Sequence, residues 1–242
     1  MKTLRNRLIS FIESELPNIS TNPHLTFYEA LSRIRYAAMD GTPAAIEALQ
    51  RIDRGVEAGN LEAQFLKAIS LRSMRKRARQ VIPLAEHGYM EAQFELGYMY
   101  LTETGVHKSK RRALYWWKQA AEQGHPEAQY ELGTRLFNTF NPSKQKEGIE
   151  WWTKAAMQGN REASGDLGHV YFCGEGVKRD TAESYIWYSL PDAKLPHAEH
   201  SCAGDVAKSL SPERLQAAQA ELRRRRSKIV QAMEPRESGF IT

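Results

Sequence analysis

Only two of the 242 residues are cysteine, Cys173 and Cys202. They stand 29 positions apart with no second pair, so neither a disulfide framework nor a four-ligand zinc site can be built from them. A reducing cytoplasm is the simplest home for such a chain. No run approaches the ~18 uninterrupted apolar residues that a membrane-spanning helix requires. The basic opening Met1-Lys-Thr-Leu-Arg-Asn-Arg meets Glu13 and Glu15 before any long apolar stretch, and no small-x-small cleavage site follows, so no export signal is read. Catalytic signatures are also missing. There is no Gly-rich phosphate loop after a strand, no His-Glu-x-x-His and no Gly-x-Ser-x-Gly. Nothing therefore calls for a cofactor, a small-molecule substrate or an enzymatic role.

What is present is ordinary for a folded protein. The hydrophobic fraction is 41%, charged residues make up 26% and the mean hydropathy is −0.59, which excludes a membrane-embedded chain and lies above the apolar-poor range of disorder. At about 100–200 residues per domain the length gives one or two domains. Lys+Arg 34 against Asp+Glu 29 leaves +5, a mild excess that favours acidic partners.

The chain repeats itself. Gly-x-x-x-Ala begins at Gly59, Gly88, Gly124 and Gly159, and a Leu-Gly pair follows at Leu96-Gly97, Leu132-Gly133 and Leu167-Gly168. Tryptophan recurs at Trp116, Trp151 and Trp187, and Ala-Ala follows the first two. A shared period of 35–36 residues marks a repeat architecture. Within a unit, Ala92, Leu96 and Tyr100 fall on one helical stripe, with Gly97 beside it where a neighbouring helix can approach closely. Gly105-Val106 breaks the pattern. Ala113, Trp116 and Ala120 then form a second stripe, which Gly124 ends. A helix pair this short has little interior of its own, so it stacks on its neighbours as an α-solenoid.

The order Ala-x-x-x-Leu-Gly-x-x-Tyr, Gly-x-Gly-Val, Ala-x-x-Trp-x-x-x-Ala-Ala-x-x-Gly resembles the Sel-one-like repeat (SLR) family, relatives of tetratricopeptide repeats. The likeness runs from about Gly59 to Leu222, and Leu210-Ser211-Pro212-Glu213 resembles the closing segment of such arrays. It implies an all-α solenoid of stacked antiparallel helix pairs, a TPR-like right-handed superhelix. The corresponding organisation is an N-terminal helical cap over 1–26, degenerate starting helices over 27–58 and repeats over 59–210. The repeat units lie near 59–87, 88–123, 124–158 and 159–193, with a partial one at 194–210. A capping helix over 211–232 and a flexible tail over 233–242 complete the chain. Phe140-Asn141-Pro142 replaces Gly-Val in the middle unit, whose inter-helix loop must be reshaped. Pro191 interrupts the helix after Trp187.

Few residues are candidates for chemistry. His197 and His200 share a helical face but lack a clear third ligand, which leaves a metal-dependent hydrolase as the remotest reading. Cys202 replaces the Leu of Leu-Gly and reads as a small buried residue. Cys173 falls in a loop between helices, with no His-plus-acid partner implied. Binding is better supported. Related solenoids line their concave face with the first helix of each pair, and carrying that geometry over by position selects Phe65, Ile69, Arg72, Phe94, Tyr98, Leu101, Tyr130, Thr134, Phe137, His169 and Phe172. Phe94 and Tyr130 are divided evenly between core and groove, while Tyr98 and His169 are the clearest groove residues. Such an aromatic groove suits an amphipathic helix or loop of another protein.

Charge adds a second feature. Arg72, Arg75, Lys76 and Arg77, then Lys108, Lys110, Arg111 and Arg112, then Lys144 and Lys146, then Lys178 and Arg179 fall between the two helices of successive pairs. Stacking aligns them along one edge. Glu57, Glu62, Glu86, Glu91, Glu122, Glu127 and Glu162 occupy the opposite turns. The sequence thus points to a non-enzymatic, cytoplasmic solenoid that binds a specific acidic protein through Arg75, Lys76, Arg111, Arg112 and the groove. Adaptor, regulator and toxin-neutralising immunity protein, mostly in bacteria, are the roles the resemblance implies; the partner would then be a toxin or another effector. The alternative is nucleic-acid binding through the basic edge and the run Arg223 to Arg226, with affinity falling steeply in salt.

Overall fold

The computed structural model describes residues 12, 14, 27–139, 141–191 and 202–233. All regular structure among them is helical. The elements are α1 Phe27–Met39, α2 Pro43–Glu57, α3 Leu61–Ile69, α4 Met74–Glu86, α5 Met90–Thr102, α6 Lys110–Glu122, α7 Pro126–Phe137, α8 Pro142–Ala156, α9 Arg161–Cys173, α10 Thr181–Ser189, α11 Cys202–Lys208 and α12 Pro212–Met233. They are paired as a solenoid is, α1 on α2, α3 on α4, α7 on α8 and α9 on α10, with successive pairs packing on one another within each unit. The chain divides into two compact units, one through Ala120 and one from Ala121 to the end of α12. Of the proposed N-terminal cap, only Ile12 and Ser14 are among the described residues; both are helical, and Ile12 is fully buried in the first unit's core. The pair His197 and His200 and the tail from 234 lie outside the described residues.

Local chemistry accounts for the helix boundaries. Asn60, Ser73, Asn141, Asn160 and Asp180 each accept backbone amides of the following first turn, which satisfies donors a helix start leaves open. The second helices α2, α4, α6 and α8 each stop at a turn glycine in the left-handed region, Gly59, Gly88, Gly124 and Gly159, as at Gly88 (φ 85). At the following corner a repeated hydrogen bond ties the pairs: Gln93 Nε2 donates to Ala85 O (3.2 Å) in the first unit and Gln129 Nε2 to Ala121 O (3.1 Å) in the second. The middle pair is reshaped as its sequence requires. Four residues separate α7 from α8, where seven separate α5 from α6, and α8 is correspondingly longer.

The small-residue position of the first helix governs how each pair closes. A Cβ added at Gly133 would lie 2.7 Å from Trp152 Cδ1 and 2.8 Å from Gly148 O, and one at Gly97 would strike the Trp117 ring. At Gly168 the obstacle is the Tyr188 ring, 2.6 Å away. The ring that faces the glycine is therefore Trp117, Trp152 and the partly buried Tyr188, one position beyond the Trp116, Trp151 and Trp187 stripe read from the sequence. Trp117 is 1% and Trp152 3% exposed, whereas Trp116 and Trp151 are half-buried. Both core indoles are anchored through their N–H, Trp117 to Phe94 O (3.3 Å) and Trp152 to Thr134 Oγ1 (3.1 Å). Trp187 is buried as well, but against the terminal helix α12.

The second unit ends in α12, whose first turn is capped by Ser211 accepting from the Arg214 amide. Arg225 holds it down: the guanidinium pairs with Glu183 on α10 (2.8 Å), pairs with Glu221 (2.9 Å) and lies 4.7 Å from the centroid of the Trp187 ring. Arg226 donates to Ser189 O, and Arg224 pairs with Glu221. Glu221 is held down to about 2 by its hydrogen bonds to Arg224 and Arg225. Most of the run Arg223 to Arg226 is thus spent inside the unit rather than offered as a basic patch.

Two measurements test this packing. Gly133→Ala is expected to lower unfolding free energy by about 1–3 kcal/mol, because the obstacles include backbone and a buried ring. Gly165→Ala, in α9 with nothing within 4 Å of the new Cβ, is expected to raise it by ~0.5–1 kcal/mol; urea titration of both variants checks the opposite signs. His125, 4% exposed, accepts the Ala128 amide on Nδ1 and lies 3.2 Å from Glu127. Burial nevertheless holds it neutral down to about 3. The unfolded chain takes up this proton near the ordinary imidazole pKa of about 6.5 while the fold does not. Its contribution to stability is therefore complete above pH 6.5 and lost as the pH falls toward 3. His125→Asn, which keeps a capping acceptor, is expected to lose less melting temperature between pH 7 and pH 5 than the parent.

Candidate interaction surface

Most of the edge cations belong to helices rather than to the loops the sequence placed them in. Arg75 and Lys76 are in the first turn of α4; Lys110, Arg111 and Arg112 open α6; Lys144 and Lys146 fall in the opening turns of α8. Arg72, Lys108, Lys178 and Arg179 are in the loops. All of these are exposed. Some make local contacts: Arg112 reaches the Tyr100 hydroxyl (3.3 Å) and lies over that ring, Arg77 donates to Leu71 O, and Arg179 stands 5.5 Å from the Phe172 centroid. Among the described residues, Arg72, Arg75, Lys76, Lys108, Lys110 and Arg111 form no ion pair.

Loop packing makes the edge continuous within each unit. In the first, Gly105 (φ 74) lies so close to the Met74 carbonyl that a Cβ there would collide with it, which sets the loop carrying Lys108 against the start of α4. In the second, Gly176 approaches Ile149, Phe137 and Gln145, which sets the loop carrying Lys178 and Arg179 against the start of α8. Only glycine permits both the positive φ and the close approach.

This charge pattern opposes the helix dipole. The second helix of a pair begins with cations and has no acid in its first turn in α4, α6 and α8, and α4 and α6 end on Glu86 and Glu122. Each misplaced charge costs ~0.3–1 kcal/mol. The first helices are charged in the favourable sense, with Glu62, Glu91, Glu127 and Glu162 in the opening turns of α3, α5, α7 and α9.

The groove residues separate by depth. In the first unit Tyr98 is 48% exposed, Phe94 and Leu101 are half-buried, and Arg72 is open. Phe65 and Ile69 are buried: α3 ends at Ile69, and Tyr89 covers Phe65 edge-on at 5.4 Å. They are core rather than accessible surface. In the second unit His169 and Phe172 are exposed, and Tyr130 and Thr134 are half-buried. Thr134 is engaged internally, donating to Tyr130 O and accepting from Trp152. Phe137 packs 4.8 Å from Trp152 and is likewise core. Tyr98 and His169, two after Leu96 and Leu167, are exposed, whereas Thr134, two after Leu132, is not.

The cysteines also differ from their sequence reading. Cys202 is exposed rather than buried. Cys173 is the last residue of α9, also exposed, and has an imidazole beside it, His169 Nε2 at 3.7 Å. The helical spacing Asp166, His169, Cys173 was legible and went unread. Among the described residues no group of three or more His, Cys, Asp or Glu is placed to hold a metal ion. No helix among them is long and apolar enough to cross a membrane.

Comparison with known proteins agrees with this geometry. No curated protein matches the sequence. The Sel1 repeat family model matches residues 91–125, 126–160 and 162–190, which are the pairs α5–α6, α7–α8 and α9–α10. A solved Sel1 repeat protein from Oxalobacter formigenes is 25% identical, with 82% of each chain covered and a TM-score of 0.55. A protective antigen of uropathogenic Escherichia coli strains displaying an SLR fold is 19% identical, covering 96% of this chain and 56% of its own, with a TM-score of 0.42. This chain therefore carries three consecutive Sel1 repeats, one on each of three consecutive helix pairs.

Proposed function

We propose that this chain is a non-enzymatic binding scaffold that holds an acidic protein partner on the edge formed by Arg72, Arg75, Lys76, Lys108, Lys110 and Arg111. Sel1 repeat proteins are generally protein-interaction solenoids, and the repeat supplies a surface rather than a reaction. The observation that carries the reading is the row of exposed cations without ion pairs, four of which, Arg75, Lys76, Lys110 and Arg111, are set on helix starts where the dipole disfavours them. A fold under selection for stability alone would place acid there. An acidic partner offsets both the mutual repulsion of the cations and the dipole cost. In the first unit the exposed Tyr98 and half-buried Phe94 and Leu101 are the proposed apolar contacts; in the second, taken by itself, Tyr130, His169 and Phe172 are the corresponding candidates. The same physics serves an adaptor, a regulator or an immunity protein that occludes a toxin in a bacterial cytoplasm.

The triple variant Arg75→Glu, Lys76→Glu, Arg111→Glu separates binding from folding. It is expected to lose a stoichiometric protein partner recovered by the tagged parent from native cells. Its melting temperature should be equal or higher, since each reversal also corrects a helix start. Undiminished recovery overturns the edge. Recovery of nucleic acid instead of protein, with affinity falling steeply as salt rises, overturns the choice of partner.

A further inference from the structure

The second helices of the pairs share a register, and α6 departs from it. The rings that face the glycines, Trp117, Trp152 and Tyr188, align α6 with α8 and α10, and the shared ending Ala-Glu-x-Gly aligns α6 with α4. Leu114 and Tyr115 of α6 then correspond to Ala78 and Arg79 in α4, to Ile149 and Glu150 in α8, and to Tyr185 and Ile186 in α10. In α4 and α8 the first position is buried beside a loop glycine, Ala78 at Gly105 and Ile149 at Gly176, and the second is an exposed charge. In α6 neither holds. Leu114 is 37% and Tyr115 56% exposed. Exposed Arg111 and Lys118 lie on the same stripe, at i and i+7 around Leu114 and Tyr115 at i+3 and i+4, so an apolar pair is set between two cations. Tyr115 also stands edge-on to the half-buried Trp116, ring centroids 5.0 Å apart, which restricts it before anything binds.

The chain itself shows what covers such a pair. In α10 both positions are again apolar, and Tyr185 and Ile186 are only 1% and 3% exposed. A helix packs on α10: α12 places Ala218 and Leu222 in the same core, and its Arg225 pairs with Glu183 at 2.8 Å. Glu183 lies two positions before Tyr185. Two positions before Leu114 stands Arg112, an exposed cation whose guanidinium has donors beyond the one given to the Tyr100 hydroxyl. The charge at this register is reversed. Helix α12 of a second copy would bring Arg224 and Arg225 against Arg111 and Arg112, so the helix that fits α6 carries carboxylates where α12 carries arginine. We propose that the outer face of α6 docks an amphipathic helix of another protein, which seats an apolar side chain on Leu114 and Tyr115 and acidic side chains on Arg111, Arg112 and Lys118. This face continues the basic edge proposed above and depends on it, because Lys110 and Arg111 belong to both. It adds the anchor that charge alone does not supply, since Tyr, Trp and Arg dominate binding energy where they are set in a rigid patch.

The experiment replaces Tyr115 by the photoreactive benzoylphenylalanine in the tagged full chain, irradiates native cells and sequences the adduct by mass spectrometry. Arg79, the matching outward position of α4, is replaced in the same way as the reference. An adduct is expected at position 115 and not at 79, on a segment of another protein whose apolar residues recur at helical spacing with Asp or Glu one turn away. An adduct on a second copy of this chain, one on a segment without acids, or none beyond that at 79 would each overturn the proposal. The captured segment, as a synthetic peptide, is then titrated against the parent and against the double variant Leu114→Ala, Tyr115→Arg. That variant gives α6 the two residues α4 carries in the same register, so the helix is expected to keep its circular dichroism and melting temperature. It also adds a cation, so a purely electrostatic edge would hold the acidic peptide as well or better. Binding is instead expected to weaken about ten-fold or more, the share of an anchor residue; equal or tighter binding overturns the proposal. The variant Arg75→Glu, Lys76→Glu on α4 reads the edge apart from this face. Peptide lost by that variant and kept by the double variant removes the α6 anchor alone, whereas peptide kept by both removes the basic-edge reading with it.

Discussion

The contact on which each repeat depends is a missing side chain facing a large ring. Gly97 against Trp117, Gly133 against Trp152 and Gly168 against Tyr188 let the two helices of a pair approach until an aromatic plane rests on bare backbone. The ring then covers the apolar stripe of the first helix, and Ala92, Ala128 and Ala163 are fully buried on that helix one turn earlier. Close packing of this kind is intolerant of added volume, which explains why the Leu-Gly marker persists while the loops between helices vary in length. In the middle pair a second glycine, Gly148, approaches Gly133 O and the Phe137 amide, and the shorter loop and earlier start of α8 accompany that closer crossing.

Once the pair geometry is set, the loops have little choice of position, and the charges they carry follow. Gly105 and Gly176 press their loops onto the start of the preceding second helix, so cations distant in sequence become neighbours within a unit. Most of those cations stand at the starts of α4, α6 and α8, where the dipole disfavours them, while the first helices carry their acids in the favourable sense. The fold tolerates this because each charge is exposed and screened, at a cost of only tenths of a kcal/mol to about one. Stability and surface function therefore pull in opposite directions along one edge of each unit.

Not every basic run has this meaning. Arg223 to Arg226 looks like a nucleic-acid patch in one dimension, yet Arg225 bridges Glu183, Glu221 and the face of Trp187, and Arg226 donates to the Ser189 carbonyl at the end of α10. A solenoid has no neighbour to bury its last repeat, and a terminal helix must supply that cover. The cations on α12 are part of how it is attached.

The period, the paired helices and the close-packed glycines were legible in the amino-acid sequence, because each is a local preference repeated every 35 or 36 residues. The reading slipped where depth mattered. Adjacent tryptophans such as Trp116 and Trp117 differ by 100° around a helix, and only the neighbouring Gly97 decides which is core. Phe65, Ile69 and Phe137 occupy groove positions by count, yet Tyr89 and Trp152 cover two of them and the early end of α3 leaves Ile69 in the core. Cys202 and Cys173 likewise took their exposure from the ends of helices rather than from their place in the repeat. Sequence periodicity determines which residues share a face, since that follows from 3.6 residues per turn. Which of them water reaches was decided by tertiary packing, because burial depends on what lies across from a residue and not on the residue itself.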